Sequence, residues 1–143
     1  MDNKTITFLV IDDDEIDREV IRREFLKEKY SNPIIEFENG SDALEFLKSK
    51  DKEYMDNNPL IILLDLNMPK MGGLEFLEEL RKDEKLKKII VFVMSTSEDY
   101  NDKLKSYNLF IAGYTTKGKI QDGIKKITSM LDTFWKKIEM PPY

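Results

Sequence analysis

Short apolar runs alternate with amphipathic stretches along the whole chain, and each kind recurs five times. Strands are expected from Thr5 to Asp12, Ile34 to Glu38, Leu60 to Asp65, Ile89 to Ser95 and Ala112 to Thr116. The middle runs lack period-two alternation, the mark of a parallel strand buried on both faces. Helical spacing places Ile16, Val20, Ile21, Phe25 and Leu26 on one face of a first helix. It places Ile120, Ile124, Ile127, Leu131, Phe134 and Ile138 on one face of a last helix. Between them, Ala43, Leu44 and Leu47 predict a second helix, Leu74, Leu77 and Leu80 a third, and Tyr100, Leu104 and Tyr107 a fourth. Strand and helix in strict alternation, joined by right-handed crossovers, give a doubly wound (βα)5 sandwich around a five-stranded parallel sheet. Ser49 to Pro59 is polar and reads as a longer exposed loop. The end of the chain, 139–143, contains Pro141-Pro142 and reads as an extended tail.

A length of 143 residues suits one domain, so no attached output domain is expected. The net charge of −5 opposes a surface that binds a phosphate backbone directly. No stretch has the roughly 20 apolar residues of a membrane span, and the amino terminus lacks a signal-peptide pattern. A soluble cytoplasmic protein is the expectation. With no Cys and no His, thiolate chemistry, imidazole catalysis and the usual zinc sites are excluded. Carboxylates, hydroxyls and lysines remain.

Those groups stand at strand ends, where open α/β sheets bind ligands. The first strand runs into Asp12-Asp13-Asp14, the third into Asp65, the fourth into Ser95-Thr96-Ser97 and the fifth into Lys117. An aspartate triplet before a helix is also an ordinary N-cap and first turn, and Thr96 and Ser97 are also ordinary caps. Asp65 at a neighbouring strand end shifts the balance, because carboxylates gathered at close range repel unless a cation neutralises them. Oxygen ligands with retained waters suit magnesium. Asp12-x-Asp14 after a first strand also mimics the acid pair of haloacid-dehalogenase-like phosphohydrolases. That reading needs a later acidic pair and a cap, for which the chain offers no obvious segment.

Asp12-Asp13, Asp65-x-x-Met68-Pro69-x-x-x-Gly73, Ser95 and Lys117, each after its strand in order, together resemble a response-regulator receiver domain. Met94-Ser95-Thr96-Ser97, Ser106-Tyr107-Asn108-Leu109, Tyr114-x-Thr116-Lys117 and Phe134-Trp135 resemble the single-domain regulators that serve phytochrome-type histidine kinases. The resemblance implies a flavodoxin-like fold and a two-component regulator that takes a phosphoryl group from a sensor histidine kinase onto Asp65. It implies Mg2+ held by Asp13, Asp65, the backbone carbonyl of Asn67 and, through water, Asp12. Lys117 would meet the phosphoryl oxygens, Ser95 would be the switch hydroxyl and Tyr114 the coupled aromatic. Asn67 and Ser97 would flank the hydrolytic water. Output would pass through the surface of the fourth helix, fifth strand, fifth helix and carboxyl terminus, by homodimerisation, partner contact or onward phosphorelay.

The chain also departs from that family. Gly118 stands where many receivers carry Pro, Gly72 removes the usual side-chain cap of the third helix, and Leu109-Phe110-Ile111 replaces a small-residue turn. Asn108 is the residue expected to supply a left-handed helix end there.

Overall fold

The computed structural model describes residues 5–135 and 143. Five parallel strands, β1 (Thr7–Ile11), β2 (Ile34–Phe37), β3 (Leu60–Leu64), β4 (Ile90–Ser95) and β5 (Gly113–Thr116), pair in the order β2-β1-β3-β4-β5. Among the described residues, six α-helices connect or follow them: α1 (Glu15–Lys27), α2 (Gly40–Ser49), α3 (Lys52–Asn57), α4 (Gly73–Lys82), α5 (Tyr100–Asn108) and α6 (Ile120–Met130). A 3-10 turn, Lys117–Lys119, precedes α6, and a π-helical turn, Leu131–Trp135, continues it.

The apolar runs form the central strands because both of their faces are covered. Leu9, Ile11, Ile62, Leu64, Val91 and Val93 pack with Leu47, Met55, Phe76 and Leu80 from α2, α3 and α4. Phe8, Val10, Ile61 and Leu63 pack on the other face with Ile21 and Phe25 of α1 and Ile124 and Ile127 of α6. Adjacent positions of one strand thus enter opposite cores, which removes any polar alternation from β1 and β3.

Several expectations are corrected. The segment from Ser49 to Pro59 contains α3, capped by Asp51 and anchored by the fully buried Met55, so it is not an exposed loop. On α1, Ile21 and Phe25 are buried, but Ile16 and Leu26 are each 70% exposed. A step of five residues turns about 140° around a helix, which carries Ile16 off the face that Ile21 occupies. Arg18 and Glu24 are buried instead. On α5 the apolar residues that predict the helix, Tyr100, Leu104 and Tyr107, all point outward, and Ser106 is the buried one. Its hydroxyl is satisfied within the helix, donating to the Asp102 carbonyl at 2.7 Å. The left-handed residue after α5 is Phe110, at φ 61°, and not Asn108, which is still helical.

As expected, Gly72 leaves the N-terminus of α4 without a side-chain cap. The side chains of Phe134, Trp135 and Ile138 and the proposed tail at 139–142 lie outside the described residues. At position 143, the Tyr143 hydroxyl accepts a hydrogen bond of 3.2 Å from the Leu60 N–H.

Candidate functional site at the carboxyl ends of the strands

The strand order reverses between β1 and β3, since β2 lies on the far side of β1. Ligand crevices of doubly wound sheets form at such switch points. Asp12 and Asp65 are the residues that follow β1 and β3, and both are buried. Their backbone amides remain in the sheet: Asp12 N donates to Phe37 O at 3.0 Å and Asp65 N to Ile11 O at 2.9 Å.

Three strand ends share one local device. Asp12 Oδ1 accepts from the N–H of Asp14 at 2.9 Å, Asp65 Oδ1 from the N–H of Asn67 at 3.3 Å, and Ser95 Oγ from the N–H of Ser97 at 3.1 Å. Each side chain folds onto the amide two residues ahead, a turn natural to Asp and Ser, and each loop therefore leaves its strand in a defined direction. Arg18, buried on α1, adds a bond of 2.7 Å from Nη1 to the Asp12 carbonyl, while its Nε contacts Glu36 at 3.0 Å. Those bonds fix the base of the Asp12 turn.

Lys117 brings the carboxylates together. Its Nζ lies 2.7 Å from Asp17 Oδ2, 3.0 Å from Asp12 Oδ2 and 3.3 Å from Asp65 Oδ2. Oxygens of Asp12, Asp13 and Asp65 also lie within 4.8 Å of one another, with Asp13 exposed at the rim. Burial, and next the charge of Asp12, push the Asp65 carboxyl up to about 6, against the pull of Lys117 and the Asn67 N–H. Burial likewise raises Asp12. Burial opposes the charge on Lys117, yet its hydrogen bonds to Asp17 and Asp12 and the surrounding negative charge hold it above its ordinary value. These directions agree: one ammonium serves three carboxylates, so it is strongly held while the carboxylates stay short of positive charge. A hard divalent cation on the oxygen-only set Asp12, Asp13 and Asp65 fits that shortage. The Asn67 main chain follows in the same loop, where Lys70 and Met71 both adopt positive φ, 50° and 80°.

Asp14 does not join the site. It is exposed, and its Oδ1 caps α1 by accepting from the N–H groups of Ile16 and Asp17. The acid pair of a haloacid-dehalogenase-like enzyme is therefore not assembled. The cap of α5 is Asp99, which replaces Thr96 and Ser97 in that role. Ser97 braces the same turn, donating to Asp102 Oδ2 at 2.6 Å and accepting from the Asp99 N–H at 3.2 Å. Ser95 is fully buried, and the half-buried Tyr114 reaches the Ser97 carbonyl with its hydroxyl. The structure thus brings Asp12, Asp13, Asp65 and Lys117 into one cluster, with Ser95 and Tyr114 linked through the loop after β4. Sequence reasoning missed Asp17 and Arg18. An acid in a first helical turn is an ordinary partner of the helix dipole, and nothing along the chain pairs it with a lysine 100 positions away.

Residues 8–128 match the family model of the response regulator receiver domain. The chain is similar to response regulator Rcp1 of Synechocystis sp., at 29% identity over 133 residues, covering 93% of this chain and 90% of that protein. Among solved structures it is similar to the phosphorylated cyanobacterial phytochrome response regulator RcpA. The TM-score there is 0.76 at 29% identity, covering 91% of this chain and 95% of that one. It is also similar to the Mn2+-bound form of Rcp1, with a TM-score of 0.74 at 30% identity, covering 94% of this chain and 98% of that one.

Proposed function

Because the chain belongs to the response regulator receiver domain family, and so is a phosphoacceptor signalling domain of a two-component system, we propose that Asp65 receives the phosphoryl group. The observation that carries this reading is the Asp65 carboxylate itself, buried at the switch point between the carboxylate of Asp12 and the ammonium of Lys117.

The chain has no His, so the phosphohistidine belongs to a partner sensor histidine kinase. A phytochrome-type kinase is the proposed donor, in line with the described role of RcpA. A carboxylate oxygen of Asp65 attacks phosphorus, the P–N bond breaks, and its electron pair returns to the imidazole. Asp12, Asp13, Asp65 and the Asn67 carbonyl would hold Mg2+, which when bound neutralises charge on the reacting oxygens. Lys117 turns from Asp65 to the transferred group and holds a phosphoryl oxygen, as positioning and charge neutralisation dominate such transfers. Asn67 and Ser97 flank the approach of the water that later hydrolyses the aspartyl phosphate, and the chain acts as a catalyst only toward its own phosphorylation state.

Signalling follows from Ser95. Its hydroxyl, now accepting from the Ser97 N–H, donates to a phosphoryl oxygen once Asp65 is modified, and the loop carrying Ser97 moves with it. Tyr114 is the coupled aromatic. The exposed Tyr100, Leu104, Tyr107 and Phe110 supply an apolar surface on and just after α5 for a homodimer or another protein. No described helix is long and apolar enough to cross a membrane.

The test is phosphate incorporation from acetyl phosphate, read by intact mass, with and without Mg2+, in the wild type and Asp65→Asn. One added phosphoryl group that requires both Mg2+ and Asp65 is the expected result. An unmodified wild type in a fast assay, or an equal adduct on Asp65→Asn, overturns the assignment.

A further inference from the structure

We propose that Asp17, on the first turn of α1, is a positioning residue that holds the Lys117 ammonium ready for the phosphoryl group without letting it settle on the metal-binding oxygens. The inference rests on the phosphoacceptor role of Asp65. Among the three carboxylates on Lys117, Asp17 is the nearest at 2.7 Å, and Asp65 is the farthest at 3.3 Å. Asp12 and Asp65 belong to the set that could take a cation, whereas Asp17 does not. Asp17 is thus the one carboxylate that anchors the lysine without being wanted by the metal.

The local backbone gives such an anchor a role. Lys117 opens a 3-10 turn and is followed by the exposed Gly118, where an added Cβ would meet nothing within 4 Å. Neither a ring nor a packed side chain stiffens Gly118, and the main chain of the turn is held by the bond from the Ile120 N–H to the Lys117 carbonyl. That bond does not reach the ammonium, and the side-chain bond from α1 supplies the restraint there. If Asp17 is removed, the ammonium keeps only Asp12 and Asp65 as anchors and competes with the cation for their oxygens. The proposed consequences are weaker metal binding and slower phosphoryl transfer.

A double-mutant cycle on the full chain separates this role from a general effect of charge. The variants are Asp17→Asn, Asp17→Glu, Lys117→Ala and the Asp17→Asn/Lys117→Ala pair. Two readouts are used: the rate of phosphorylation by acetyl phosphate at saturating Mg2+, and the Mg2+ dissociation constant from calorimetry, which needs no turnover. Asp17→Asn is expected to slow phosphorylation and weaken Mg2+ binding by about fivefold or more in the wild-type background, and by less than about twofold in the Lys117→Ala background. Asp17→Glu restores most of the loss, because it returns the carboxylate. Equal effects in both backgrounds, or no effect in either readout, overturn the proposal. Asp65→Asn is run alongside. If it blocks the adduct while Asp17→Asn changes nothing, only the Asp17 role fails. If Asp65→Asn is phosphorylated like the wild type, the phosphoacceptor reading fails first.

Discussion

The hydroxyl of Tyr114 donates a hydrogen bond of 2.8 Å to the carbonyl of Ser97, tying β5 to the loop that leaves β4. The same Ser97 donates its N–H to the Ser95 hydroxyl at 3.1 Å. A line of two bonds therefore joins the proposed switch hydroxyl to the proposed coupled aromatic. A move of Ser95 toward Asp65 would pull on Ser97 and, through it, on Tyr114. Tyr114→Phe removes one bond and leaves the ring. A net hydrogen bond is worth about 1 kcal/mol, or roughly a fivefold change in an equilibrium. The unphosphorylated variant is expected to move partway toward the phosphorylated state. Amide chemical shifts of Ser97 and Asp99 should lie on the line joining the two wild-type states. Wild-type positions in the variant would separate Tyr114 from the switch.

The charge shortage at Asp65 has a pH signature in metal-free protein. Its carboxyl is raised from 3.8 to about 6 in the fold, first by burial and then by Asp12. Between those values the native state holds a proton that the unfolded chain has lost. Stability therefore falls as pH rises through that window, and is flat above it. The loss is on the order of 3 kcal/mol. Lys117 has the same sign in a separate window: its value is also raised, so its contribution is fully present across this range and is lost only when pH rises above its ordinary value. Denaturant melts from pH 4 to 7 are expected to show the decline in the wild type and a flatter profile in Asp65→Asn. Mg2+ should stabilise the wild type near neutral pH and leave Asp65→Asn nearly unchanged. A wild-type stability that rises through the window would contradict the assigned environment.

The strands and the strand-end groups were legible in the sequence for one reason. A parallel strand buried on both faces leaves an unbroken apolar run, and Asp12, Asp65 and Ser95 stand where such runs stop, whereas Lys117 follows the partly buried edge strand β5. Helices were legible where apolar residues recur at helical spacing, and their packing was legible too where that face is the buried one, as with Ala43, Leu44 and Leu47. Six residues of α3 are too few to show a period, and their one anchor, Met55, is a single apolar position in a polar stretch. The pattern of α5 predicted a helix correctly and its orientation wrongly, because Tyr100, Leu104 and Tyr107 share a face that solvent covers. Asp17 and Arg18 act on residues distant in sequence or on main-chain atoms, and side-chain spacing does not report such partners.

Two glycines near the site are expected to respond in opposite ways to one added methyl group. A Cβ on Gly73 would stand 2.4 Å from the Asp65 carbonyl oxygen and 2.7 Å from Leu66 Cα, and both neighbours are backbone. Gly73 also donates its N–H to Leu66 O at 2.9 Å, so α4 starts hard against the end of β3. Gly73→Ala must push those apart and should destabilise by about 3 kcal/mol, the upper range for overpacking. Because the displaced backbone carries Asp65, phosphorylation should slow as well. Gly118 has open space around it and no positive φ. Gly118→Ala is expected to stabilise by about 0.5 kcal/mol, through lost freedom in the unfolded chain. Urea midpoints check both, and a tolerated Gly73→Ala would refute the close approach.

Arg81 offers the last prediction, at the opposite end of the sheet from the acidic cluster. From α4 its Nε donates to Leu109 O at 2.7 Å, Nη1 to Lys87 O at 2.7 Å and Ile89 O at 2.8 Å, and Nη2 to Phe110 O at 3.0 Å. Burial pulls the guanidinium below its usual value, and these four bonds all go to main-chain carbonyls. One planar fork thus joins the segment before β4 to the end of α5, where Phe110 holds a left-handed conformation that costs a non-glycine residue about 1–2 kcal/mol. Arg81→Met keeps the stem and leaves the carbonyls without a donor, for an expected loss of about 2–4 kcal/mol. Arg81→Lys should recover only part, since an ammonium is a point that cannot span carbonyls on both segments. Hydrogen exchange provides the local check. The amides of Leu109, Phe110 and Ala112 should exchange faster in Arg81→Met by more than the change in global stability explains, because α5 loses its fixed end. Exchange that rises only in step with global unfolding would show that Arg81 braces the whole fold and not this joint.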